Sequence, residues 1–132
     1  MKTIISIIVL VAIVGGLAAA AVPIYLSEKQ NRKMAIELTG GDPDKGRDAI
    51  TQYGCSSCHT IPGIRGADAM VGPPLTKIAG RSYIGGVLKN TPDNMKAWLK
   101  NPPRVDEKTA MPNVHLSDED ANDIACYLYT LR

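Results

Sequence analysis

The chain has 132 residues, 15 of them Lys or Arg against 13 Asp or Glu, and a formal charge of +2. It is 45% hydrophobic but only 5% aromatic, with no Phe. That length holds one small domain plus an appendage. The near-neutral balance argues against nucleic acid as a partner, and a domain so poor in aromatics has little apolar surface of its own to bury.

The appendage comes first. Ile4 to Leu26 gives 23 positions without a charge, rich in Ile, Val, Leu and Ala. A signal-peptide core is about 7–15 apolar residues, whereas a spanning helix needs about 20. The length therefore predicts an uncleaved transmembrane signal-anchor over residues 1–26. Cleavage near Ala18 to Ala21 is the alternative and would leave a soluble periplasmic protein. Flanking charge (Lys2 on one side, Lys29, Arg32 and Lys33 on the other) leans weakly against an outward-facing domain. Gly15 and Gly16 with Ala19 and Ala20 give small-xxx-small spacing, which lets another helix pack closely; bulk apolar composition explains the same residues equally well. Residues 27–40 read as a linker or stalk, spanning roughly 20 Å as a coil or continuing the helix.

Residues 41–132 read as a separate, helical domain. Asp42-Pro43 is an N-cap followed by proline at the first helical position. Gly46, Ala49, Ile50 and Tyr53 follow at helical spacing. Thr91-Pro92 repeats the device, with Met95, Trp98 and Leu99 on one face until Asn101-Pro102-Pro103 ends the helix. Ser117 caps a last helix, Asp120 completes a weak capping box, and Ala121, Ile124, Ala125, Leu128 and Leu131 form its stripe. No strand is evident. Cys126 falls about 150° from the centre of that stripe at ~100° per residue. It reads as a partly buried small residue, a partner contact or, last, a functional thiol.

Between the first two helices lies Cys55-Ser56-Ser57-Cys58-His59. A Cys-x-x-Cys-His run is the attachment signature of a c-type haem: two thiols for thioethers to the porphyrin edge, then an imidazole for the iron. A zinc site needs four ligands, and only Cys126 and His115 remain, in no such spacing. A dithiol redox pair belongs near a βαβ pattern, which is missing. One covalent haem c would also supply the hydrophobic centre that the composition lacks. With His59 on iron, the sixth position decides the chemistry. Met70 lies close to His59 in sequence, and Met95 sits on an apolar stripe. Met111, in the non-helical Thr109-Ala110-Met111-Pro112, is the preferred ligand, with His115 second.

On these residues, 41–132 resembles a class I cytochrome c. Gly41 to Arg47 is similar to that family's first helix and Gly72-Pro73-Pro74-Leu75 to its loop after the haem motif. The resemblance implies an all-α cytochrome c fold around one haem. It further implies that Pro73 offers its carbonyl to His59, that Arg81 partners a haem propionate and that Trp98 stands beside the haem. Tyr127 would take the family's aromatic position in the last helix. The run from Asn90-Thr91-Pro92 through Met111-Pro112 is more similar still to the cytochrome c domain fused to subunit II of some bacterial haem–copper oxidases. That subunit's copper-binding domain and second membrane helix are not in these 132 residues. Small membrane-anchored cytochromes c are the better likeness overall.

The expected function is single-electron transfer between respiratory membrane complexes, from a quinol-oxidising complex to a terminal oxidase, by a carrier that is not itself an enzyme. The expected location is the bacterial cytoplasmic membrane, haem domain on the outer side. A permanent haem subunit of a larger respiratory or photosynthetic complex is the alternative. Between Arg65 and Lys108 there are eight basic residues against four acidic ones, a surplus that includes Lys96 and Lys100 and could steer an acidic partner.

Overall fold

The computed structural model describes residues 2–132, with side chains from Ile4 onward. It separates into two compact units, the first ending at Gln30 and the second running Asn31–Arg132. The first unit's described residues are helical, the start of α1 (Lys2–Thr39). Its large apolar side chains are not covered by the rest of the chain: Ile4, Val11 and Leu17 are each more than 60% exposed. A stretch of 23 residues rises about 35 Å at 1.5 Å per residue, enough for a hydrocarbon core of about 30 Å. This helix is long and apolar enough to cross a membrane.

The second unit takes in the last residues of α1, which ends at Thr39. Ala35 is fully buried there, and Arg32 pairs with Asp44. The helix then stops at Gly40, whose φ of 71° suits a residue without Cβ. Asp42 caps α2 (Pro43–Gln52), accepting from the Asp44 amide at 2.8 Å, and Pro43 occupies the first turn. The buried face of α2 is Pro43, Gly46, Ala49 and Ile50, packed on α5 (Asp118–Thr130). Gly46 is the crossing point: a Cβ there would lie 2.0 Å from the Asp123 carbonyl oxygen.

Thr91 caps α3 (Pro92–Lys100), which buries Met95, Trp98 and Leu99. The proline pair that ends α3 also starts a single further turn, α4 (Pro102–Val105), capped by Asn101. Ser117 caps α5: its Oγ accepts from the Asp120 amide at 3.0 Å and donates to Asp120 Oδ2 at 2.6 Å. Three tyrosine hydroxyls tie other segments to α5. Tyr53 donates to Asp120 Oδ2 at 2.8 Å, Tyr127 to the Pro62 carbonyl at 2.7 Å, and Tyr129 to Asn90 Oδ1 at 2.7 Å.

Two sequence expectations are corrected. A short antiparallel ribbon does exist, β1 (Tyr83–Ile84) with β2 (Leu88–Lys89). Two-residue strands carry too little alternation to show as a pattern. Cys126 is fully buried, because α5 is enclosed on more than its stripe. Asp123 through Tyr129 are all buried, and the thiol donates to the Gly41 carbonyl at 3.3 Å.

Candidate functional site

Gly54 separates α2 from the cysteine motif. Its φ of 72° turns the chain into a 3-10 turn at Cys55–Ser57. The Cys55 carbonyl then accepts from the amides of both Cys58 (3.3 Å) and His59 (3.1 Å). That closes five residues into one turn and brings both thiols and the imidazole to one region of the chain. Cys55 and Cys58 are half-buried and unpaired by disulfide. Burial pushes the Cys55 thiol above its ordinary pKa.

His59 is oriented from the following loop. Its Nδ1 lies 2.8 Å from the Pro73 carbonyl oxygen. A carbonyl only accepts, so Nδ1 carries the proton and Nε2 keeps its lone pair for a metal. The loop is laced to the motif on both sides of that contact. The Gly72 amide donates to the Cys58 carbonyl at 2.7 Å, and the Leu75 amide to the Thr60 carbonyl at 2.8 Å. Gly72 is obligatory on steric grounds: an added Cβ would stand 2.5 Å from His59 Cε1.

The other sequence-predicted residues lie on later segments of the chain. Met111 is half-buried in the loop before α5 and packs against the core; its amide donates to Thr109 Oγ1 at 3.2 Å. Met95 is 2% exposed inside the core, whereas Met70 is 85% exposed. His115 is exposed with φ of 58°, and its amide donates to Asn113 Oδ1. Trp98 is buried, with its ring above Gly85, where a Cβ would come within 2.5 Å of Cη2. Arg81 Nη2 donates to the carbonyls of Pro74 and, at 3.0 Å, Thr76.

Sequence reading gave no structural role to Gly85 or Asn90. The Gly85-Gly86 pair in a turn was the available signal for the first. Asn90 gave none: its Nδ2 donates to the Ile78 carbonyl at 2.9 Å and the Arg81 carbonyl at 2.8 Å, both remote in sequence. A groove of about 640 Å³ between α3, α4 and the loop before α5 is lined by Lys100, Arg104 and His115 among others, and includes none of Cys55, Cys58, His59 or Met111.

The donor set fits a haem. Two thiols stand on one turn, an imidazole has its outer nitrogen protonated against a carbonyl, and a glycine keeps the space beside the ring. Among the described residues no cluster of three or more His, Cys, Asp or Glu forms an alternative metal site.

Comparison with known proteins gives consistent findings. The cytochrome c family model matches residues 43–132. The cytochrome c oxidase subunit 2 of Alkalihalophilus pseudofirmus is 30% identical over 90 residues, 67% of this chain and 25% of that protein. The protein of the same name from Bacillus sp. strain PS3 is 28% identical over 113 residues, 82% of this chain and 31% of its own length. That from Bacillus subtilis is 30% identical over 92 residues, 67% of this chain and 26% of its own length. The chain thus spans about a quarter to a third of the relatives it matches.

Proposed function

The chain belongs to the cytochrome c family, whose domain transfers electrons on haem, and from that premise we propose a membrane-anchored carrier of single electrons with one covalent haem c. Cys55 and Cys58 would hold the haem through thioethers, and His59 Nε2 and Met111 Sδ would bind its iron. Residues 1–26 are the anchor, 27–40 the stalk and 41–132 the haem domain. The observation that carries the reading is the 2.8 Å contact of His59 Nδ1 with the Pro73 carbonyl. It fixes the tautomer a metal-ligating histidine requires and strengthens it as a donor.

Haem bound by these residues would supply a ferrous/ferric couple. The residues around it set its properties. A methionine thioether favours ferrous iron and closes the sixth position to substrates. Trp98 supplies an apolar wall, and Arg81 Nη1 and Nε are donors for a propionate. Donor and acceptor are membrane complexes, a quinol-oxidising complex and a terminal oxidase, and the haem domain lies on the outer side of the bacterial cytoplasmic membrane.

A reduced-minus-oxidised spectrum of the purified full chain tests this directly. Low-spin c-type bands that stay with the polypeptide after denaturation are expected; a colourless protein overturns the reading. A second reading is supported by the relatives' name: a fixed haem subunit of an oxidase. Constant stoichiometry with oxidase subunits through purification would select it over a mobile carrier.

A further inference from the structure

Arg81 stands eight residues beyond Pro73, yet its guanidinium returns to the loop that holds His59. One nitrogen, Nη2, donates to two carbonyls of that loop, Pro74 and, at 3.0 Å, Thr76. The acceptor of the His59 Nδ1 proton is the carbonyl immediately before, Pro73. The loop's amides at Gly72 and Leu75 are bonded to Cys58 and Thr60, so its amides tie it to the cysteine motif and its carbonyls to Arg81.

Arg81 is itself held. Its carbonyl accepts from Asn90 Nδ2 at 2.8 Å, and the Asn90 Oδ1 accepts from the Tyr129 hydroxyl at 2.7 Å. Tyr129 is buried in α5. The last helix thus holds Asn90, Asn90 holds the Arg81 backbone, and the Arg81 side chain reaches the loop carbonyls of Pro74 and Thr76.

We infer that Arg81 is a positioning residue for His59: by clamping the Pro74 and Thr76 carbonyls it fixes the neighbouring Pro73 carbonyl that receives the imidazole proton. The inference rests on His59 being a haem ligand, as proposed above. It assigns Arg81 an action on the iron that a propionate contact does not include. The loop is proline-rich, and Pro73 and Pro74 bring no amide hydrogen of their own. Carbonyls there have few local partners, so a charged donor from outside is the means of holding them.

The two roles of Arg81 have opposite consequences for the haem. Loss of its positive charge disfavours ferrous iron and lowers the reduction potential. Loss of the clamp loosens the His59–Pro73 bond, makes the imidazole a weaker donor and raises the potential. Arg81→Lys keeps the charge on a shorter reach, and Arg81→Gln removes it.

The test uses the full-length haem-loaded protein in its ferrous state, following solvent exchange of the His59 Nδ1 proton by NMR beside the potential and its pH slope. In Arg81→Lys, exchange should quicken about tenfold, the equivalent of one lost hydrogen bond. The potential should rise and its pH slope should stay as in the parent. Exchange within twofold of the parent in both variants, with a lowered potential in Arg81→Gln, would confine Arg81 to the propionate and overturn the inference. Should neither variant mature with haem, the unaltered protein decides. Slow exchange of the Arg81 Nη2 protons, those given to Pro74 and Thr76, is expected there, and exchange of that pair as fast as in a surface arginine overturns it whatever the Nε proton does. A chain without haem absorbance would instead defeat the haem reading, an outcome distinct from all of these.

Discussion

Gly72 and Met111 sit on either side of the chemistry proposed for His59, and each makes a separate prediction. Gly72 has no room for a side chain, since a Cβ would meet His59 at Cε1 (2.5 Å) and Nδ1 (2.8 Å). Gly72→Ala should therefore displace the imidazole from Pro73. Haem-loaded protein should fall severalfold and the remainder should show a high-spin fraction by absorption; a normal low-spin spectrum at full yield would contradict the crowding. Met111→Ala tests the second ligand proposed for the iron. Removing a thioether should lower the reduction potential and open the iron to carbon monoxide. A variant with unchanged potential and no carbon monoxide binding would move the assignment to another residue. Met95 is buried in the core and Met70 is exposed, so Met95→Leu should cost stability and leave the spectrum alone.

At the scale of elements, the crossing of α2 and α5 is the joint on which the domain depends. Gly46→Ala forces a methyl against the Asp123 backbone, an atom that cannot rotate away. A destabilisation of about 1–3 kcal/mol is expected for such overpacking, readable as a lower midpoint in denaturant titration of the haem-loaded protein. The same helix pair supplies an acid limb. Ser117 and Tyr53 donate to Asp120 and hold its carboxyl below the usual range. The Arg32 and Lys100 partners do the same for Asp44 and Asp118. With folded pKa values depressed, these groups contribute stability above the unfolded value of about 3.9 and lose it as pH falls through the folded value. Thermal stability should hold from neutrality to about pH 5 and decline below about pH 4. Asp120→Asn should flatten the decline; an identical acid limb in that variant would remove Asp120 from its origin.

For the whole molecule, charge and anchoring bear on encounter with a partner. The basic surplus from Arg65 to Lys108 is partly cancelled where it was expected to act. Lys96 lies 3.3 Å from Asp93, and Lys100 is paired with Asp118. Exposed pairs of this kind are weak in energy, but they remove net charge from the surface a partner would see. Reversing both lysines to Glu should change the association rate with the redox partner by no more than a few-fold at physiological salt. Stopped-flow rates across an ionic-strength series measure this. A steep salt dependence lost in the double variant would restore steering by this surface.

Much of this molecule is local chemistry and was legible in the chain. The turn from Cys55 to His59 closes on the Cys55 carbonyl, so a five-residue spacing is enough to announce it. Asp42, Thr91 and Ser117 cap the helices they precede, because capping joins residues two or three apart. The apolar run of α1 speaks for itself through length. Tertiary structure decided the rest. Cys126 lies off the stripe of α5 yet is fully buried, because the Gly41 segment covers a face that helical periodicity treats as outer. The Asn90 amide serves Ile78, Arg81 and Tyr129, and the Arg81 guanidinium serves Pro74 and Thr76; neither pattern leaves a spacing to read. Periodicity and caps report what a residue does within one turn of chain, whereas the bonds of Tyr129 to Asn90, of Asn90 to Arg81 and of Arg81 to Pro74 and Thr76 exist only once the domain has closed.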